Sequence, residues 1–388
     1  MMNRSFNPTF AGRPVTIFAV MSALANKHGA INLGQGFPDE DGPREILEAA
    51  ARGILEKHNQ YTPVMGVPAL RQALARANKR FYDLDFDWET ETMVACGATE
   101  ALAAAFFAFL QPGDEAVLLA PVYDCYAPII EAAGARARFV NLEPPNWSIR
   151  EEALAAAITP KTKVIALNSP HNPCGRVIPR EELEMVAAFA KKHDLLVVCD
   201  EVYEHLVFDG QAHIPLATLP GMRERCVRIG SAGKTFSLTG WRIGYVSGPA
   251  PLIAVMMKAH QYLAYTLPGH LQEAIALGLD LGDDYYDGFV AGMQEKRDIM
   301  REGLLAAGFD VLPCDGTYFM NVDIRSVGRK DDMAFCEEIT EKAKVAAVPL
   351  SAFYPPNTDF PRHFARFCFC KKREVLDEAN ARLKRYFA

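Results

Sequence analysis

Short apolar runs alternate with amphipathic stretches such as Arg180–His193 between residues 61 and 248. Runs that are apolar at successive positions are typical of strands that are covered on both faces. The runs are Glu115–Ala120, Arg138–Leu142, Lys163–Leu167, Leu195–Cys199, Cys226–Ile229 and Gly244–Ser247. Their alternation with helical stretches predicts an α/β fold, in which a mostly parallel sheet lies between layers of helices.

The pattern changes after about residue 285. The remaining chain contains a long helical stretch, two strand candidates and a final helix: Tyr286–Gly308, Tyr318–Val322, Arg366–Cys370 and Glu374–Tyr386. We therefore predict a large domain over residues 41–285 and a smaller α+β domain over residues 286–388. The N-terminal segment, residues 1–40, is expected to pack against the smaller domain.

Composition and charge exclude several classes of protein. The net charge of −7 argues against nucleic-acid binding, which needs a basic face for phosphates. Met1–Phe10 contains no apolar signal core, and the apolar run Ala101–Leu110 is too short to cross a bilayer. The nine cysteines are scattered, without a C-x-x-C pair, and are expected to be reduced. A cytoplasmic protein without a metal site is expected.

Polar or glycine-rich segments follow three of these apolar runs and a fourth strand candidate, Thr92–Cys96. These segments are Gly97–Thr99, Asn168–Gly175, Asp200–Tyr203 and Gly230–Lys234. In open α/β sheets, ligands bind outside the carboxyl ends of the strands. We therefore expect the four segments to meet at one ligand-binding crevice.

Lys234 has surroundings that differ from those of an ordinary surface lysine. Its neighbours in the sequence are Gly, Ser, Ala, Thr and Phe, and the next charged residue is Arg242. A desolvated amine has a lowered pKa and is a better nucleophile. A P-loop interpretation of Gly-Lys-Thr fails, because that motif needs a glycine where Arg228 stands. Gly34-Gln35-Gly36 is likewise rejected as a dinucleotide fingerprint, since no third glycine follows.

Eight segments together resemble the class I aminotransferases, a family of fold type I pyridoxal-phosphate enzymes. They match in order and in approximate spacing: Asn32–Pro38, Tyr61–Leu70, Gly97–Glu100, Pro170–Gly175, Asp200–Tyr203, Ser231–Tyr245, Gly316–Phe319 and Arg366–Cys370. The chain is most similar to the branch of methionine aminotransferases and kynurenine or glutamine transaminases. The resemblance implies a large domain with a mostly parallel seven-stranded sheet and a smaller α+β domain.

The resemblance also implies how pyridoxal 5′-phosphate is held. Lys234 would carry the cofactor and then shuttle a proton between the substrate Cα and the cofactor. Asp200 would pair with the pyridine nitrogen and keep it protonated, and Tyr123 would stack on the ring. The phenolic oxygen would accept hydrogen bonds from Tyr203 and Asn172. The phosphate would be held by Gly97, Ala98, Thr99, Ser231 and Arg242, with Tyr61 reaching the phosphate of a partner subunit.

For the substrate, the resemblance implies that Arg366 binds the α-carboxylate bidentately and that the backbone of Gly36 lies close by. Asn172 is expected beside the same carboxylate. Phe18, together with Tyr265 from a partner subunit, would line the side-chain pocket. That pocket predicts a neutral donor, apolar or aromatic: methionine first, then phenylalanine, tyrosine, kynurenine or glutamine. The expected assembly is a homodimer with shared sites, acting on small molecules by a ping-pong cycle.

Two other functions stay open at this point. A β-lyase acting on cysteine S-conjugates would use the same residues, and would differ in releasing ammonia and pyruvate without a keto acid acceptor. A non-enzymatic regulator that binds pyridoxal phosphate would need an attached DNA-binding module, and the sequence has no spare basic segment for one.

Overall fold

The computed structural model describes residues 6–355 and 359–388. The strands are β1 (Ile31–Asn32), β2 (Thr92–Cys96), β3 (Glu115–Ala120), β4 (Arg136–Asn141), β5 (Thr162–Asn168), β6 (Leu196–Asp200), β7 (Cys226–Ser231), β8 (Ile243–Ser247), β9 (Asp310–Val311), β10 (Phe319–Asp323), β11 (Val345–Ala346), β12 (Val348–Pro349) and β13 (Phe364–Cys368).

The α-helices are α1 (Pro8–Ala11), α2 (Ile17–His28), α3 (Arg44–Glu56), α4 (Pro68–Tyr82), α5 (Gly97–Phe109), α6 (Tyr126–Ala132), α7 (Glu151–Ala157), α8 (Arg180–Lys192), α9 (Ala232–Thr235), α10 (Ala250–Leu263), α11 (Gly269–Leu279), α12 (Asp283–Ala306), α13 (Asp332–Glu338) and α14 (Arg373–Phe387). Short 3-10 turns occupy Leu216–Thr218, Thr239–Trp241, Ile324–Val327 and Leu350–Phe353, and Ile339–Ala343 forms a π-helical turn.

Seven strands form the main sheet, in the order β2-β8-β7-β6-β5-β3-β4. Strands β4, β3, β5, β6 and β7 pair in parallel, whereas β8 runs antiparallel to both β7 and β2. Alternate side chains of β5 enter two different hydrophobic cores: Val164 and Ala166 enter one, and Ile165 and Leu167 the other. Burial on both faces explains the continuous apolar runs and confirms the predicted α/β architecture.

The boundaries of several elements differ from the prediction by one to three residues. Strand β4 begins at Arg136 rather than Arg138, because the backbone of Arg136 already pairs with Glu115. Helix α12 begins at Asp283 rather than Tyr286, after Gly282, and its first turn carries two aspartates that interact favourably with the helix dipole. In the second sheet, β13 begins at Phe364, two residues before Arg366.

The second sheet has four antiparallel strands in the order β12-β13-β10-β9. Its core includes Met320 and Phe367 from the strands and Leu376 from α14. Met21 and Leu33 of the N-terminal segment lie in the same core, and β1 pairs in parallel with β11. These contacts agree with packing of the N-terminal segment on this layer, although the division into domains stays a prediction.

Three further features bear on the class of protein. Within residues 6–355 and 359–388, no helix combines the length and apolar character needed to span a membrane. The same residues contain no cluster of His, Cys, Asp and Glu that could hold a metal ion. All nine cysteines are free thiols.

Candidate active site

A cavity of about 190 Å³ lies where β5, β6 and β7 end, at Asn168, Asp200 and Ser231. Twelve of the residues singled out from the sequence line it: Phe18, Gly36, Ala98, Thr99, Tyr123, Asn172, Asp200, Tyr203, Ser231, Lys234, Arg242 and Arg366. The predicted crevice at the carboxyl ends of the strands therefore exists, and the polar segments do meet there.

Lys234 lies on the single-turn helix α9, directly after β7. The turn is compact, because a Cβ at Gly233 would lie 2.9 Å from the Cα of Thr239. The Nζ of Lys234 donates to the hydroxyl of Tyr318 at 2.7 Å and lies 3.4 Å from the carbonyl oxygen of Gly36. Desolvation lowers the pKa of the Lys234 amine to about 8, so about a tenth of the amine is neutral at pH 7.

Asp200 is the last residue of β6 and is almost fully buried. Its carboxylate accepts a hydrogen bond from the hydroxyl of Tyr126 and another from the backbone N–H of Val202 at 3.3 Å. Desolvation raises the pKa of Asp200 to about 6, against the opposing effects of these two bonds and the charge of Lys234. The carboxylate is therefore mostly ionised at pH 7 and can accept a hydrogen bond from a protonated ring nitrogen.

The start of α5 and the guanidinium of Arg242 lie close together. Gly97 has a φ of 71°, and a Cβ there would come within 2.5 Å of Nη2 of Arg242. A Cβ on Gly244 would likewise lie 2.5 Å from the backbone of Gly97, so the close approach of β8 to the start of α5 requires glycine at both positions. The side chain of Glu100 accepts the backbone N–H of Cys96 at 2.9 Å and fixes the start of the helix. Free amides at a helix start beside a guanidinium suit a phosphate group.

Arg366 of β13 is fully buried. Its Nη1 donates to Oδ1 of Asn172 at 2.8 Å, and its Nη2 donates to the carbonyl oxygen of Gly34 at 3.0 Å. The guanidinium lies 3.8 Å from the ring centroid of Phe319, and its Nε has no hydrogen-bond partner among the described residues. Desolvation lowers the pKa of Arg366. A buried cation with an unused donor at the cavity wall is suited to binding a carboxylate.

Tyr61 and Tyr265 do not line the cavity of their own chain. Their rings contact each other edge to face at 5.4 Å, and their exposed fractions are 83% and 44%. Hydroxyl contact between Thr62 and Thr266 holds the two segments together. Their expected roles in a partner's site stay predictions.

Three residues at the site escaped the sequence reasoning. Tyr126 and Tyr318 contact Asp200 and Lys234, and Gln35 lines the cavity while donating to Ser22 Oγ at 2.7 Å. Gln35 and Tyr318 lie inside segments that the resemblance had already marked. The signal for Tyr126 was its position three residues after Tyr123, and the two rings contact each other edge to face at a centroid distance of 6.2 Å. Tyr318 left no comparable signal, since its contact depends on how two sheets meet.

Comparison with known proteins identifies the family of the chain. The family described as "Aminotransferase class I and II" matches residues 28–383. The chain is 45% identical over 377 residues to the probable N-succinyldiaminopimelate aminotransferase of Mycobacterium tuberculosis, covering 95% of each chain. It is 40% identical over 369 residues to the methionine aminotransferase of Escherichia coli, again covering 95% of each. The solved N-succinyldiaminopimelate aminotransferase of M. tuberculosis superposes with a TM-score of 0.96 at 44% identity, covering 99% of this chain and 100% of the other. The chain therefore belongs to the class I and II aminotransferases and is a pyridoxal-phosphate-dependent enzyme of that family.

Proposed function

We propose that this aminotransferase moves the amino group of a neutral L-amino acid with an apolar or aromatic side chain to a 2-oxo acid, by a ping-pong cycle. Methionine is the first expected donor, followed by phenylalanine, tyrosine, kynurenine or glutamine. The observation that carries the proposal is the cavity wall, where Arg366 and Phe18 lie near each other, with 5.4 Å between the guanidinium carbon and the ring centroid.

The residues at the cavity fit pyridoxal phosphate. Asp200 presents an ionised carboxylate, Tyr203 and Asn172 are available to a phenolic oxygen, and the start of α5 lies beside Arg242. When bound, the cofactor supplies a positively charged ring that accepts electrons from the substrate's Cα. Lys234 then holds or moves the Cα proton at its Nζ, and Asp200 stabilises the charge on the ring.

Arg366 is proposed to bind the α-carboxylate that every amino and 2-oxo acid carries. Its guanidinium is already oriented by Asn172, Gly34 and the ring of Phe319, so little conformational freedom is lost on binding. Orientation of this kind places the substrate's Cα near Lys234 and increases the rate through proximity.

The cations that line the cavity limit which side chains fit. Among the described lining residues these are Lys234, Arg242 and Arg366, and each already has a role with the cofactor or the α-carboxylate. A second carboxylate, as in aspartate, would be desolvated without a partner, which costs more than burial returns. Phe18 instead favours an apolar or flat side chain, by roughly 1.5–3 kcal/mol for one buried residue. Similar apolar chains are discriminated poorly, so a broad range of donors is expected.

A second candidate donor is N-succinyldiaminopimelate, which the name of the 45%-identical relative suggests. That compound carries further carboxylates at the end remote from the reacting amine. It would need a cation beyond those lining the cavity of one chain, which a partner subunit would have to supply.

The test is kcat/KM for methionine, phenylalanine, aspartate and N-succinyldiaminopimelate with one common 2-oxo acid. We expect methionine and phenylalanine to exceed aspartate by at least about tenfold. Aspartate matching methionine would show that the pocket is misplaced, and N-succinyldiaminopimelate exceeding both would establish the second candidate. Omission of the acceptor also separates transamination from β-lyase activity on a cysteine S-conjugate.

A matched pair of substitutions on α2 tests the role of Phe18. Phe18→Ala should reduce kcat/KM for methionine and phenylalanine by about 10- to 100-fold, and alanine as donor should change little. Val20→Ala is the control, because Val20 lies on the same helix with 43% of its surface exposed and does not line the cavity. An equal loss for all donors in Phe18→Ala would assign Phe18 to the placement of Arg366 rather than to specificity.

A further inference from the structure

Tyr318 makes the closest contact to the amine of Lys234 among the hydrogen bonds at the site. It precedes β10 and is fully buried, with its ring edge-on to that of Tyr203 at a centroid distance of 5.2 Å. Its hydroxyl oxygen lies 2.7 Å from Nζ of Lys234 and 2.7 Å from the carbonyl oxygen of Gly36. One hydroxyl therefore bridges the amine and a backbone carbonyl.

The directions of these hydrogen bonds follow from which groups have protons. A backbone carbonyl can only accept, so the single hydroxyl proton of Tyr318 points to Gly36. Burial raises the pKa of Tyr318 well above its ordinary value, so this proton is retained. The oxygen of Tyr318 can then only accept from Lys234.

A neutral primary amine has two N–H groups and one lone pair. One N–H of Lys234 donates to the hydroxyl oxygen of Tyr318. The other can donate to the carbonyl oxygen of Gly36, which lies 3.4 Å from Nζ. The lone pair must then point away from both acceptors. Lys234 itself lines the cavity where substrate is proposed to bind.

We propose that Tyr318 is a positioning residue that orients the amine of Lys234, so that its lone pair faces the proton on the substrate's Cα. The inference rests on the proposed role of Lys234 as the proton carrier. In this step the lone pair of Nζ forms the new N–H bond, and the electrons of the broken Cα–H bond stay with the substrate and the cofactor ring. Tyr318 gains and loses no proton.

The experiment compares the holoenzymes of the wild type and Tyr318→Phe, which keeps the buried ring and removes the bridging oxygen. We expect kcat with methionine to fall about 10- to 100-fold, with KM within about threefold. The primary isotope effect with α-deuterated methionine should increase, because Cα–H cleavage becomes more rate-limiting. A structural role acting through Gly36 would instead raise KM and leave the isotope effect unchanged, which would overturn the proposal.

A second readout does not depend on activity. In the apoprotein, the pH dependence of acylation of Lys234 by acetic anhydride, read by mass spectrometry, reports the pKa of the amine. Loss of the Tyr318 acceptor removes a bond that favours the ammonium form, so the pKa should fall further below about 8 in Tyr318→Phe. An unchanged pKa together with an unchanged kcat would overturn the proposal.

Tyr285→Phe is the matched control. Its hydroxyl also donates to a backbone carbonyl, that of Thr235 next to Lys234, at 2.8 Å, but it does not contact the amine. We expect its kcat and isotope effect to match the wild type. If Tyr318→Phe does not fold, 3,5-difluorotyrosine at position 318 keeps the hydroxyl as a weaker acceptor and should change the isotope effect in the same direction.

Two outcomes distinguish failure of the proposed function from failure of the proposed role of Tyr318. Absence of transamination in the wild type would overturn both the proposed function and the role of Tyr318. Normal transamination in the wild type with an unaltered Tyr318→Phe enzyme would overturn the role of Tyr318 alone.

Discussion

The hydroxyl of Tyr126 donates a hydrogen bond to the Oδ2 oxygen of Asp200, from the first residue of α6 to the last residue of β6. Both side chains are buried, and the bond favours the ionised carboxylate. Its effect opposes the desolvation that raises the pKa of Asp200 to about 6. The tyrosine therefore helps to keep Asp200 charged at neutral pH.

Tyr126→Phe should raise the pKa of Asp200 above about 6, because it removes a bond to the ionised form. Hydrogen bonds to charged groups contribute roughly 1.5–3 kcal/mol, which is about one to two pKa units, so the ionised fraction of Asp200 and with it kcat/KM at pH 7 should fall by about 2- to 15-fold. The acidic limb of the pH profile should move to higher pH, and pyridoxal phosphate should bind more weakly. A profile that superposes on that of the wild type would show that Tyr126 only packs against the site.

Asp200→Asn should lose at least about 100-fold in transamination, since a neutral amide cannot hold a proton on the ring nitrogen.

The same substitution should increase the stability of the apoprotein at neutral pH. The folded-state pKa of about 6 lies above the ordinary 3.8, so wild-type apoprotein loses stability as pH rises from about 4 to 6. At about 1.4 kcal/mol per pKa unit, the loss is on the order of 3 kcal/mol at pH 7.

The apoprotein of Asp200→Asn should accordingly melt at a higher temperature than the wild type at pH 7, and the advantage should shrink toward pH 4. Thermal midpoints of the two apoproteins across this range measure it. A difference that does not vary with pH would mean that Asp200 titrates at its ordinary value.

Arg366→Lys should raise KM for amino and 2-oxo acids by a similar factor, because each presents the same carboxylate. An ammonium cannot reproduce the fork that contacts Asn172 and Gly34, and roughly 10- to 100-fold is expected for one lost charge-assisted bond. Circular dichroism checks the fold, since the guanidinium is also packed on Phe319. A loss that varied strongly with the donor's side chain would place Arg366 in the specificity pocket.

A homodimer with shared sites predicts complementation. Tyr61→Phe and Lys234→Ala chains, each impaired alone, should regain activity when mixed and refolded together. One site of the mixed dimer then combines an intact Lys234 with an intact Tyr61 from the other chain. The exposed Tyr61–Tyr265 pair supports such an interface. Full activity in a monomer on analytical sedimentation would contradict the prediction.

The fold was predictable because the apolar runs and the helical periodicity reflect burial, which acts locally along the chain. The side chains of Val164 to Leu167 alternate between two cores, and the continuous apolar run that results can be recognised in the sequence without knowing which elements pack against it. The order of the strands and the antiparallel direction of β8 were not predictable, since they depend on pairing between distant segments.

The site shows the same division. That Lys234, Asp200 and Arg366 come together at one cavity could be predicted from their segments and the family resemblance. The hydrogen bonds of Tyr126 and Tyr318 could not be predicted, because they join residues that are 74 and 84 positions apart, respectively. The ring contact between Tyr61 and Tyr265, which are 204 positions apart, could not be predicted from the sequence pattern either.

The loop that holds Gly34 and Gly36 contacts both reactive ends of the site: the carbonyl of Gly34 meets Arg366, and that of Gly36 meets Lys234 and Tyr318. Two residues of one loop thus hold the group proposed to bind the carboxylate at a set distance from the amine proposed to take the proton. A β-amino acid has one more carbon between its carboxylate and the carbon that bears the amino group. With its carboxylate on Arg366, that amino-bearing carbon would no longer lie opposite Lys234. We therefore expect β-amino acids to be rejected whatever their side chain, which kcat/KM for β-homomethionine against methionine would measure.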